Sequence, residues 1–222
     1  MTAAPSQATI QARPAGSPHR RRLTGTIRLL RLHLASRRAR SALVTFAACG
    51  ILLRSDLYWH WTPATGPIAV KLPTLIEVAV ASVIAVTTYS PFGESERATG
   101  RWLPYLRLAS AVALTCAAIA ALAAGSAGLN MAGGYLGIAR NIAGMTGIGL
   151  ISAPVLGGAL SWIAPVAYGG LAEYAIASAW TSPWTWPVQS PHDRGAAICA
   201  ALTYATGLAV ITALGPRYRD GD

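Results

Sequence analysis

Six apolar stretches, each close to the length of one bilayer crossing, govern what this chain can fold into. They run over residues 41–61, 72–89, 106–127, 135–156, 163–180 and 196–214. About 20 apolar residues in a helix cover the ~30 Å hydrocarbon layer of a membrane. The first stretch is the weakest, because Arg54 and Asp56 interrupt one end of it. Between the stretches lies turn chemistry: Pro63 to Pro67, Ser90-Pro91-Phe92-Gly93, Gly125 to Gly134, and Pro183 to Pro191. The fourth and fifth are joined only by residues 157–162, which predicts a tight helical hairpin. Charged residues make up 12% of the chain, about half the usual share for a soluble domain. The pattern predicts an all-α, polytopic integral membrane protein with six transmembrane helices spanning 41–214, located in the cell membrane.

The net charge is nonetheless +10, so the distribution of bases sets orientation. Nine bases precede the first stretch, ending at Arg40; Arg97, Arg101 and Arg107 follow the second, and Arg217 and Arg219 close the chain. Arg54, Lys71, Arg140 and Arg194 fall on the other side. Basic residues concentrate on the cytoplasmic side, which predicts that both ends face the cytosol. Trp59, Trp61, Trp180, Trp184 and Trp186 then form an aromatic belt at the outer interface.

Residues 1–18 are polar and small, a composition that cannot bury a core, and read as a cytoplasmic tail; residues 215–222 read as a second. Residues 19–40 are rich in arginine, with Leu23, Ile27, Leu30 and Leu34 on one helical face. They predict an interfacial helix lying among anionic headgroups. A cleaved leader is disfavoured, since the apolar run 42–53 ends at Arg54 with no small-residue cleavage pattern. Arg21-Arg22 precedes further arginines rather than an apolar run, which argues against twin-arginine export.

Several chemistries are closed to the chain. Its single lysine, Lys71, precedes Leu72, so the glycine-rich loop with Lys-Ser/Thr that cradles a nucleotide is missing. Cys49, Cys116 and Cys199 lie inside apolar stretches without metal-site spacing, and read as small buried apolar residues. Asp56 and His60 stand one helical turn apart, and His192-Asp193 lies in another loop. Four such groups could ligate a metal or act as acid and base on a lipid headgroup. With no third fixed partner for Asp56 and His60, polar residues at an interface are the better account. No metal, cofactor, enzymatic activity or nucleic-acid partner is expected.

Charges inside apolar spans are expensive and mark functional sites by default. Glu77 lies in the second stretch, Arg140 and Asn141 in the fourth, and Glu173 in the fifth. An Arg140–Glu173 pair across neighbouring helices would keep both charged, and these four residues are the candidate transport path. The fourth stretch carries Ala139, Ala143 and Gly147 at four-residue spacing, which lets backbones approach closely. Between the second and third stretches, residues 90–107 hold Glu94, Glu96, Arg97, Arg101 and Arg107 with sharp Pro/Gly punctuation. Such a loop suits the docking of a protein.

This layout resembles the membrane subunits of ABC-type exporters of the six-span class. The matching features are a basic interfacial segment at 21–38, a coupling segment at 94–107, and six spans, the resemblance covering about 20–217. The 90–107 segment is also similar to that of small actinobacterial integral membrane proteins described as transporter components. The resemblance implies a permease subunit that works with a separate ATPase, as a homodimer or beside a second membrane subunit, in contact with membrane lipids. A non-transporting scaffold of the cell envelope, or a lipid-acting enzyme using Asp56, His60, His192 and Asp193, would be alternatives.

Overall fold

A computed structural model describes residues 39–59, 71–87, 103–129, 131, 133–178 and 182–214. The segments 1–18 and 215–222, the interfacial helix of 19–40 up to Arg38, and the loop residues Glu94, Glu96, Arg97 and Arg101 lie outside the described residues. So do His60, Trp61 and Trp180.

The described residues are all-helical. Helices α1 (Ala39–Trp59), α2 (Lys71–Thr87), α3 (Leu103–Gly125), α4 (Gly134–Leu156), α5 (Ile163–Ala177) and α6 (Arg194–Ala213) follow one another, with a 3-10 helix at Pro183–Val188 before α6. Each α-helix falls on one of the six apolar stretches. Four of them, α1, α3, α4 and α6, are long and apolar enough to cross a membrane. The other two are shorter than expected: α2 has 17 residues and α5 has 15. At 1.5 Å per residue α5 extends only about 22 Å. Its last helical residue is Ala177, followed by a turn at Ser178.

Helix α4 is the centre of the bundle. Its apolar window is 72% buried, against 39% or less for α1, α3 and α6, and it packs on α2, α3, α5 and α6. One apolar core joins the first four helices through Phe46, Leu53, Val80, Ile84, Leu122, Ile138 and Ile142. Helices α1 and α6 turn large apolar side chains outward, as Val44, Ile51 and Leu202 show. That arrangement suits lipid as the surrounding solvent.

Two helix pairs approach to backbone contact at glycines. A Cβ on Gly50 would lie 2.7 Å from the Ala121 carbonyl oxygen, and one on Gly125 would run into the Gly50 oxygen. The same relation recurs between α4 and α6. A Cβ on Gly147 would lie 2.6 Å from the Thr203 backbone, and one on Gly207 would lie 2.6 Å from the Gly147 oxygen. Of the expected small-residue stripe on α4, Gly147 makes this crossing, while Ala139 and Ala143 are only half-buried. Pro154 lies inside α4, whose helix continues to Leu156. The hairpin to α5 is closed by Ser152 Oγ, which donates to the Ser161 carbonyl at 3.1 Å.

Candidate functional site: a buried charged chain under a strap

The first turns of α4 carry Arg140 and Asn141, and the facing turn of α2 carries Glu77. All three are buried: Glu77 is 2% exposed, Asn141 6% and Arg140 8%. Asn141 links the other two. Its Nδ2 donates to Glu77 Oε2 at 2.8 Å, and its Oδ1 accepts from Arg140 Nε at 3.3 Å. An acid, an amide and a base thus form one connected chain between two packed helices. Each member of the chain is hydrogen-bonded, as buried polar groups must be.

The remaining Arg140 donors turn to the segment between α5 and α6. Nη1 donates to the Ser190 carbonyl at 2.7 Å and Nη2 to the Gln189 carbonyl at 2.9 Å. Residues 182–193 form a strap folded back into the bundle. Thr185 Oγ1 donates to the Ser182 carbonyl at 2.7 Å and accepts from Gln189 Nε2 at 3.0 Å. Tyr168 of α5 donates its hydroxyl proton to the Trp184 carbonyl. At the far end Asp193 caps α6, its Oδ1 accepting from the Ala196 amide at 2.8 Å. A carboxylate at that position satisfies an orphan amide of the first helical turn.

Trp186 is the deepest part of the strap and is 3% exposed. Its ring stacks on Tyr168 with centroids 4.7 Å apart. It lies so close to Gly144 that a Cβ there would fall 2.7 Å from the indole. Gly144 is ten residues into α4, about 15 Å along its axis. The ring therefore reaches near the middle of α4.

These positions revise the sequence reading in four respects. The acid joined to Arg140 through Asn141 is Glu77 on α2; the Arg140–Glu173 hydrogen-bonded pair does not form. Glu173 sits half-buried on α5, so three of the four candidate path residues come together. Trp186 belongs to the interior rather than to an interfacial belt, whereas Trp59 and Trp184 are exposed. Asp193 is occupied as a helix cap, and Asp56 is buried at 1% exposure, so neither is presented to a headgroup as an open acid or base. Arg107, the one expected docking residue that is described, sits in the first turns of α3, half-buried. Among the described residues no three His, Cys, Asp or Glu side chains gather as a metal site.

Sequence reasoning missed the strap. Gln189 and Ser190 meet Arg140 through backbone carbonyls, which every residue carries, so their identities give no signal of that contact. The one available mark was Pro183-Trp184-Thr185-Trp186-Pro187, where two prolines bracket tryptophans in a segment too short for a span. Compared with protein-family models, curated proteins and solved structures, the chain matches none.

Proposed function

We propose that this chain is the membrane-spanning permease subunit of an ATP-driven, exporter-like transporter in the cell membrane. In this reading the helices thread the bilayer six times, with both ends of the sequence in the cytosol. The observation that carries the reading is the buried Glu77–Asn141–Arg140 chain at the centre of a lipid-facing bundle. Ionisable groups placed there by apolar helices mark substrate or ion pathways by default. The chain has no nucleotide loop of its own, so the energy comes from a separate ATPase. That subunit docks on residues 90–107, where Glu94, Glu96, Arg97, Arg101 and Arg107 offer both signs of charge. Nucleotide-driven closure then rocks the helices between two packings, in a homodimer or beside a second membrane subunit.

Affinity purification from detergent-solubilised membranes tests the proposal. An ATPase subunit should co-purify with the full chain and be lost when Arg97, Arg101 and Arg107 are replaced together by glutamate. Recovery of the membrane chain without any ATPase would overturn it.

One observation favours a second reading. Arg140 donates to fixed carbonyls of the strap, which is how a static tether is built, and a non-transporting envelope scaffold needs only that. Deleting residues 1–22 separates the two. A scaffold that holds its partner through the basic arm loses it, whereas a permease retains the ATPase through 90–107.

A further inference from the structure

The strap joins two recognition elements that a small molecule could replace. The first is a slot for a flat ring, floored by Gly144, walled by the Tyr168 ring and closed by Ala196 and Ala200. Trp186 fills it by shape alone, since its buried Nε1 has no hydrogen-bond partner. The second is the Arg140 fork, whose two terminal nitrogens donate to two successive carbonyls, Gln189 and Ser190. A guanidinium fork of this kind matches the two oxygens of a carboxylate and binds them about twice as strongly as neutral acceptors. Arg140 and Gly144 are one turn apart on the same face of α4, so the fork and the slot are separated by about 6 Å along the axis.

We propose that the slot and the fork form a ligand site occupied by the chain's own strap. Its ligand is a flat apolar ring carrying a carboxylate about one helical turn, ~6 Å, away. The strap is the stand-in: Trp186 imitates the ring, and the Gln189 and Ser190 carbonyls imitate the two acid oxygens. An incoming acid displaces them because it brings a full charge to Arg140 where the strap brings only dipoles. Glu77, held through Asn141, keeps Arg140 oriented without occupying its terminal nitrogens. This assignment rests on the transport reading and deepens it by naming the class of substrate.

The probes are indole-3-propionate and its neutral amide, indole-3-propionamide, titrated into the purified full chain in detergent. Trp186→Ala empties the slot. The variant should bind the acid at least tenfold more tightly than the unaltered chain does, and at least tenfold more tightly than it binds the amide. Adding Arg140→Gln together with Glu77→Gln, so that no carboxyl is stranded, should abolish the preference for the acid. Equal affinity of Trp186→Ala for acid and amide, or a preference that survives the added pair, would overturn the site. Should Trp186→Ala fail to fold, Tyr168→Phe decides, since it keeps the ring wall and removes only the hydroxyl that holds the strap. It should bind the acid at least threefold more tightly than the unaltered chain, and an unchanged affinity would overturn the site. The titration needs no ATPase. Acid binding by a chain that recruits no ATPase would sustain the site and overturn the transport reading, whereas loss of the acid preference with ATPase still bound would do the reverse.

Discussion

The crossings of α1 on α3 and of α4 on α6 use the same device in the two halves of the molecule, yet their surroundings differ. In each, a mid-helix glycine (Gly50 or Gly147) meets the backbone of the partner, and a second glycine four residues further along that partner (Gly125 or Gly207) meets the first. Close backbone approach of this sort holds helices together without a hydrophobic driving force. Around the first crossing the neighbours are apolar: Phe46, Leu53, Ala118 and Leu122. Beside the second lie the strap and the charged chain of Arg140, Asn141 and Glu77. The first crossing is thus an apolar contact, with the buried Asp56 further along α1, and the second lies beside a connected polar chain that reaches across to α2. The lesson is that glycine contacts supply the framework in both, so the polar groups of the second half are not needed to bring its helices together.

The sharpest way to break the comparison is to remove charge from each half in turn. Arg140→Ala removes the donor to Asn141 and to the Gln189 and Ser190 carbonyls, and each buried acceptor left unpaired costs about 1–3 kcal/mol. We expect a large fall in the thermal midpoint, read by fluorescence size-exclusion after heating. In the first half, Arg54 is exposed and reaches the Ala127 carbonyl only at 3.5 Å; Arg54→Ala should change stability by less than about 0.5 kcal/mol. Pairing Arg140→Ala with Glu77→Gln should recover part of the loss, since the amide can still accept from Asn141 without carrying a charge. If the double variant is no more stable than Arg140→Ala, the two groups are not coupled and the charged chain has been misread.

Next come the crossings themselves. Gly50→Val and Gly147→Val each push a branched side chain against partner backbone that cannot rotate away. Overpacking costs about 1–3 kcal/mol where side chains can adjust, so ~3 kcal/mol is the expectation at both positions. The comparison predicts similar penalties in the two halves. A penalty confined to Gly147 would show that the α1–α3 contact is dispensable.

The helices were largely legible in the sequence, and the meeting of their faces was not. Hydrophobic length is written residue by residue, which is why 135–156 anticipates Gly134–Leu156 and 196–214 anticipates Arg194–Ala213 so closely. Charges inside apolar runs stand out for the same reason, and Glu77, Arg140 and Asn141 could be singled out before any contact was known. Which acid would reach Arg140 depends on helix rotation and neighbour order, and the spacing of residues within one helix carries neither. The sequence reading joined Arg140 to Glu173, whereas packing brings Glu77 to it through Asn141. The strap escaped notice because its bonds run through carbonyls at 189 and 190 and because tryptophans near membrane edges ordinarily sit at the interface. Trp186 goes inward because Gly144 leaves room for an indole and Tyr168 offers a ring to stack on.

The smallest effect expected separates a structural carboxylate from a chemical one. Asp193 accepts from the Ala196 amide, and replacing such a cap by alanine costs about 1 kcal/mol. Asp193→Ala should therefore lower stability slightly, loosening the join between the strap and α6. Asp193→Ser should restore nearly all of it, because a serine hydroxyl can accept from the same amide but cannot serve as a carboxylate base or a strong metal ligand. If the serine variant were as impaired as the alanine variant, the carboxylate itself would be required. The difference between the halves would then include acid–base chemistry at the strap as well as the charged chain beneath it.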